Sequence, residues 1–133
     1  MTLEPSGSRT LLAAHARFLE TQRPDVAAIE GLFHHRNVRS ALALAEARGA
    51  LLAALGEFGV PVIEYPPATV KMTICGSGSA SKEDVHRAIS RTFPTLLVGM
   101  DASLPRDATD ALAVALCHDV HARFDARTRR LGT

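Results

Sequence analysis

The sequence predicts an α/β fold with parallel strands, on three observations. Two short apolar runs without polar alternation, Val26-Ala27-Ala28-Ile29 and Val60-Pro61-Val62-Ile63-Glu64-Tyr65, read as strands buried on both faces. A long segment at helical spacing separates them, and a strand-helix-strand unit implies parallel pairing with a right-handed crossover. At 133 residues, 47% apolar and 22% charged, the chain has the balance of one soluble globular domain. That domain is expected to span residues 1–133, with 122–133 as a flexible basic tail.

The elements follow in order. Leu11, Leu12, His15, Phe18, Leu19 and Gln22 recur at helical spacing, with Ser8 as the expected N-cap, and Pro24 ends that helix. The first strand closes on Glu30 and Gly31. Residues 38–57 form the longest helix, ending near Gly59, and carry small residues four apart: Ala41, Ala45, Gly49 and Ala53. Positions i and i+4 share a face, so this ridge lets another backbone come close. In the second strand Pro61 stands near the start, where a missing N–H is tolerable, and Pro66-Pro67 stop it. A short helix is expected over Thr69–Cys75, then a Gly76-Ser77-Gly78-Ser79 loop, then a helix from Ser81 to about Phe93 opened by a Ser81…Asp84 capping box. Residues 94–105 read as loop, and a last helix starts near Arg106. Two strands alone make a poor parallel sheet, which needs cover on both faces and usually more strands.

Composition narrows the function. Fifteen Lys+Arg against 14 Asp+Glu leave a net charge of +1, so any nucleic-acid contact must come from local clustering. Two cysteines, Cys75 and Cys117, build neither a disulfide framework nor an all-cysteine zinc site, which favours a reducing cytoplasm. The opening MTLEPSGSRT has no basic stretch followed by an apolar one, and no apolar run approaches membrane-spanning length. Neither secretion nor membrane insertion is expected.

Several groups of residues could carry chemistry. Glu30 ends a strand, where open α/β sheets place their ligands, although a lone strand-end Glu is more often simply solvated. Asp107 and Asp110, three apart at a helix start, share one face; they serve equally as helix caps or as ligands. Brought together with Glu30, they would suit a hard cation such as Mg²⁺, and two such ions about 4 Å apart serve phosphodiester hydrolysis. Lys71 and Lys82 flank a flexible loop and suit phosphate contact, or are solvated surface; Gly-Lys-Ser/Thr is absent, so the loop is no P-loop. Phe33 either stacks on bases or folds into the core. His34-His35 and His118…His121 lack the spacing of a zinc site, and the last two are expected as partly buried residues of the final helix. Arg123, Arg127, Arg129 and Arg130 form either a nucleic-acid arm or a solvated helix end.

Arg23-Pro-Asp-Val-Ala-Ala-Ile-Glu30-Gly-Leu-Phe33 resembles the corresponding stretch of the RuvC-type Holliday junction resolvases. Matches continue in order through Ser40-Ala41-Leu42, Ala47-Arg48-Gly49, Val60–Tyr65, Val70-Lys71, Gly76…Gly78 with Lys82, and Asp107-Ala-Thr-Asp110-Ala-Leu-Ala-Val-Ala-Leu-Cys-His118. The likeness covers about residues 8–121. It implies an RNase H-like fold and a homodimeric endonuclease that nicks four-way DNA junctions with Mg²⁺ alongside a branch-migration helicase. By motif position Glu30, Asp107 and Asp110 are metal-binding carboxylates, Phe33 inserts at the junction centre, Lys71 and Lys82 contact phosphate, and the Ala41-Ala45-Gly49-Ala53 ridge lies in the dimer interface.

The family pattern also includes an opening strand ending in a Gly-Ile-Asp-Pro-Gly-like motif, followed by two more strands, and this sequence has none of them. The expectation is therefore an N-terminally truncated RNase H-like fold lacking its first three strands, with two parallel strands packed by four or five helices and little cleavage of its own. A non-catalytic DNA-binding or dimerising remnant is the alternative. An RNase H-like relative acting on other nucleic acids is a weaker third reading.

Overall fold

The computed structural model describes residues 6–31, 37–94 and 105–132, for 6–9 the backbone alone. They form α1 (Ser6–Gln22), β1 (Ala27–Glu30), α2 (Val38–Glu57), β2 (Val62–Tyr65), α3 (Pro67–Cys75), α4 (Lys82–Thr92) and α5 (Arg106–Leu131). β1 and β2 form a two-stranded sheet. Its flanking bonds run from Ala27 N to Pro61 O and from Gly31 N to Tyr65 O, each 2.9 Å, so both strands advance together and the pairing is parallel. No helix among the described residues is long and apolar enough to cross a membrane.

The described residues gather into two compact units. The first takes the described parts of Met1–Ala27 and Phe33–Ile63, the second those of Ala28–Leu32 and Glu64–Thr133. In the first, α1 packs on α2 around buried Leu19, Ala54 and Leu55, with Ala27, Leu51, Val60 and Val62 against them. In the second, α3, α4 and α5 pack around Val70, Val85, Ile89, Ala113, Val114 and Cys117, and Ala28 and Tyr65 of the strands lean on this core.

Most boundaries follow the sequence reading, with physical reasons for the departures. α1 begins at Ser6, so Ser8 lies inside the helix rather than capping it; the apolar repeat begins only at Leu11 and leaves the first turn undetermined. β2 begins at Val62, because Pro61 has no N–H and the N–H of Val60 is spent on Leu55 O of α2 at 2.9 Å. Neither strand is buried on both faces: β1 is half-buried and ends exposed at Glu30, and Ile63 of β2 is 39% exposed. A two-stranded sheet has two edges and little cover. α3 starts at Pro67 in its first turn, where a missing N–H is harmless. It ends at Gly76, whose φ of 75° is left-handed and cheap only for glycine. Residues 122–131, expected as a tail, continue α5 as helix, exposed throughout.

The capping box of α4 forms as the sequence dictates. Asp84 N donates to Ser81 Oγ at 3.1 Å, and Ser81 N donates to Asp84 Oδ2 at 3.0 Å. These bonds from Ser81 hold the Asp84 carboxyl below the usual range. The cap fixes the first turn of α4, which begins with Lys82. Replacing Ser81 by Ala is expected to cost about 1 kcal/mol in urea unfolding. Ile89→Ala, at a fully buried position, is expected to cost roughly 2–5 kcal/mol, so the two substitutions separate cap from core.

Candidate active site

The second unit carries a small open cleft floored by core residues Val70, Val85, Ala113 and Val114 and rimmed by Glu30, Lys71, Lys82 and Asp110. Each charged group arrives on a different element. Glu30 ends β1, Lys71 lies on α3, Lys82 opens α4, and Asp110 sits early in α5. Residues 30 and 110, eighty positions apart in sequence, thus share one site. The cleft is small, about 50 Å³, and open to solvent.

The four charges act on one another. The Glu30 carboxyl is raised above its ordinary value, first because surrounding protein partly desolvates it although its side chain still reaches solvent. Repulsion from Asp110 raises it further, while Lys82 and Lys71 pull it down. Asp110 is thus held close enough to disfavour the charge on Glu30, with two ammonium groups in partial compensation.

Polar contacts tie α5 to its neighbours around this cleft. Buried Thr109, next to Asp110, donates its hydroxyl to Arg106 O at 2.7 Å and lies 3.1 Å from His86 Nδ1 on α4. Two turns beyond Asp110, His118 Nδ1 lies 2.9 Å from the Tyr65 hydroxyl at the end of β2. His121 Nε2 lies 3.3 Å from Thr73 Oγ1 on α3, and the Tyr65 and His121 rings stand 5.4 Å apart. His118 and His121 are half-buried on α5, as expected. The contacts of Tyr65, Thr109 and His86 are not legible in the sequence, whose one signal is a single tyrosine placed at a strand end.

Asp107 is not brought to the cleft. It lies exposed in the first turn of α5, where its charge complements the helix dipole. The N-cap is Pro105, without a side-chain capping bond, so Asp107 does not cap the helix. Among the described residues no three of His, Cys, Asp and Glu are placed to share a metal ion. Phe33, with His34 and His35, lies outside the described residues. On α2 the small-residue ridge forms, Ala41 half-buried and Ala45, Gly49 and Ala53 exposed.

The raised Glu30 carboxyl gives a pH dependence with a definite sign. Ionisation of Glu30 opposes folding, so the wild type is penalised above the folded-state value and relieved below the unfolded one. Glu30→Gln is expected to melt higher than wild type at neutral pH, with the difference closing as pH falls through the carboxylate range. Melting curves at several pH values, without divalent ions, check this.

A family model for crossover junction endodeoxyribonuclease RuvC matches residues 5–118. The RuvC of Alkalilimnicola ehrlichii is 41% identical over 96% of this chain and 74% of that protein. That of Myxococcus xanthus is 46% identical over 86% of the chain, which spans only 59% of its length. The fold is similar to that of Thermus thermophilus RuvC in complex with Holliday junction substrate, with a TM-score of 0.77 and 32% identity over 93% of this chain and 73% of that one. A second Thermus thermophilus RuvC structure gives 0.73 over 94% of this chain and 76% of that one. With them come the RNase H-like architecture and the order of the motifs, and the chain belongs to the RuvC family of crossover junction endodeoxyribonucleases.

Proposed function

We propose that this chain acts on four-way (Holliday) DNA junctions in recombination and repair, as a structure-specific endodeoxyribonuclease of the cytoplasm. The observation that carries the reading is the meeting of Glu30 and Asp110 with Lys71 and Lys82 in one cleft. Two carboxylates with no thiol or imidazole beside them among the described lining residues suit a hard divalent cation, and the repulsion that Asp110 exerts on Glu30 favours one. Glu30 and Asp110 would hold Mg²⁺, with Asp107 one turn earlier as a further candidate ligand. A divalent ion held there would supply the positive charge that phosphodiester hydrolysis needs.

The chain's own residues supply binding and orientation. Lys71 and Lys82, on separate helices, grip the phosphate and offset its charge. Phe33 follows Glu30 by three positions and is proposed to wedge at the junction centre. The exposed Ala45-Gly49-Ala53 ridge, with Ala41, is proposed as the face against a second copy; a Cβ on Gly49 would meet nothing within 4 Å. A branch-migration helicase complex is the proposed further partner. A non-catalytic junction-binding role is the second reading, favoured by one observation: among the described residues, two carboxylates line the cleft.

Three measurements test these readings. A synthetic four-way junction should bind more tightly than linear duplex, and Lys82→Ala should weaken binding and flatten the log–log salt dependence by about one unit. Equal affinity for junction and duplex overturns the assignment. Any Mg²⁺-dependent nicking should vanish in Glu30→Gln and in Asp110→Asn while junction binding persists; binding without nicking by the wild type selects the second reading. Gly49→Gln should abolish dimers in sedimentation without lowering the melting temperature, because replacing an interior helical glycine favours the helix by up to about 1 kcal/mol.

A further inference from the structure

The last two and a half turns of α5 have no part in the cleft. Every residue from 122 to 131 is exposed, although the helix is continuous from Arg106 to Leu131. Between residues 120 and 132 stand four arginines against one aspartate, in a chain whose net charge is only +1. Their arrangement is one-sided. Arg123, Arg127 and Arg130 follow the i, i+4, i+7 spacing of one helix face, whereas Asp125 and Arg129 fall on the opposite side. Arg123 also reaches Asp119 at 2.9 Å, one turn earlier, an exposed pair weak enough to yield to phosphate.

We propose that the Arg123-Arg127-Arg130 face of α5 is a second DNA-contact surface, which grips the backbone of one junction arm at a fixed distance from the cleft. The proposal rests on the junction reading and adds a site to it. One continuous helix carries Asp110 near its start and these arginines near its end. At about 1.5 Å rise per residue, they lie roughly 20 to 30 Å from Asp110 along the axis. At about 3.4 Å per base pair, a duplex running beside α5 presents them with phosphates about six to nine base pairs from the point of strand exchange. Guanidinium groups suit that task, since they hold phosphate by paired bonds while their aliphatic stems cover the neighbouring apolar surface. Val120 and Phe124, 45% and 67% exposed, stand beside them.

The test is binding without cleavage, in Ca²⁺, to a synthetic junction across a salt series. Arg123→Gln/Arg127→Gln/Arg130→Gln should flatten the log–log salt slope by about two to three units. The same three positions changed to Lys should restore most of the slope, and Arg129→Gln should leave it unchanged. Neutral methylphosphonates placed about six to nine base pairs from the exchange point should weaken the wild type but not the triple Gln variant, and those about 12 to 15 away should weaken neither. Far-UV circular dichroism should report equal helix content for all variants. The proposal is overturned by a triple Gln variant of wild-type slope, or by methylphosphonate effects independent of position. If the wild type binds through Lys82 and the arginine variants do not differ from it, the arm contact fails and the junction reading stands. If the wild type shows no preference for the junction, both fail.

Discussion

The seating of α5 in the core of its unit decides where one of the two cleft carboxylates stands. Its first half is buried at Thr109, Ala113, Val114 and Cys117. An apolar stripe alone fixes rotation better than position along the axis. The polar ties remove that freedom: Thr109 meets His86 one residue before Asp110, and His118 meets Tyr65 two turns after it. A half-buried hydroxyl or imidazole left unpaired is costly, so both bonds penalise any slide of the helix. Tyr65 also accepts the N–H of Gly31, the residue after Glu30. One side chain and its own carbonyl therefore tie both acidic positions to a common frame.

That frame holds an unfavourable arrangement in place. Desolvation and a like charge both oppose ionisation of Glu30, and the two lysines only partly offset them. Selection for stability alone would not put two carboxylates there; the arrangement becomes sensible once a cation or a phosphate enters the account. Conflict between local electrostatics and an otherwise consistent fold is what a functional site looks like. The consistent part surrounds it: a reciprocal cap on α4, a left-handed glycine ending α3, and proline at the first turn of α3.

What the sequence disclosed divides along the range of the interactions concerned. The Ser81…Asp84 cap, the α2 ridge and the stop at Pro66 depend on neighbours within a turn or two, and each stands where the spacing puts it. Glu30 and Asp110 were legible as candidates because strand end and helix start are recognisable places, though nothing local shows that they meet. Tyr65 with His118, 53 positions apart, and His86 with Thr109, 23 apart, are invisible to periodicity because their pairing exists only after the chain has folded. Asp107 shows the limit of local spacing. Three-residue spacing placed it on Asp110's face, but one turn along the helix was enough to leave it exposed outside the cleft lining.

The charge layout along α5 carries one more constraint. An acid in the first turn and arginines in the last are what the helix dipole favours in any helix, so Asp107, Arg129 and Arg130 need no function to explain them. The dipole's influence fades within a turn of either end. Arg123 and Arg127 stand further in; Asp119 accounts for part of Arg123, and it lies eight positions from Arg127, beyond the reach of an i, i+4 pair. Core packing does not account for them either, since the helix is exposed on every side from residue 122 onward. Two charges on one face, unexplained by dipole or packing and aligned with a third, are better understood as facing something outside the chain. In a helix whose other end bears the cleft, a polyanion is the partner whose charge answers theirs.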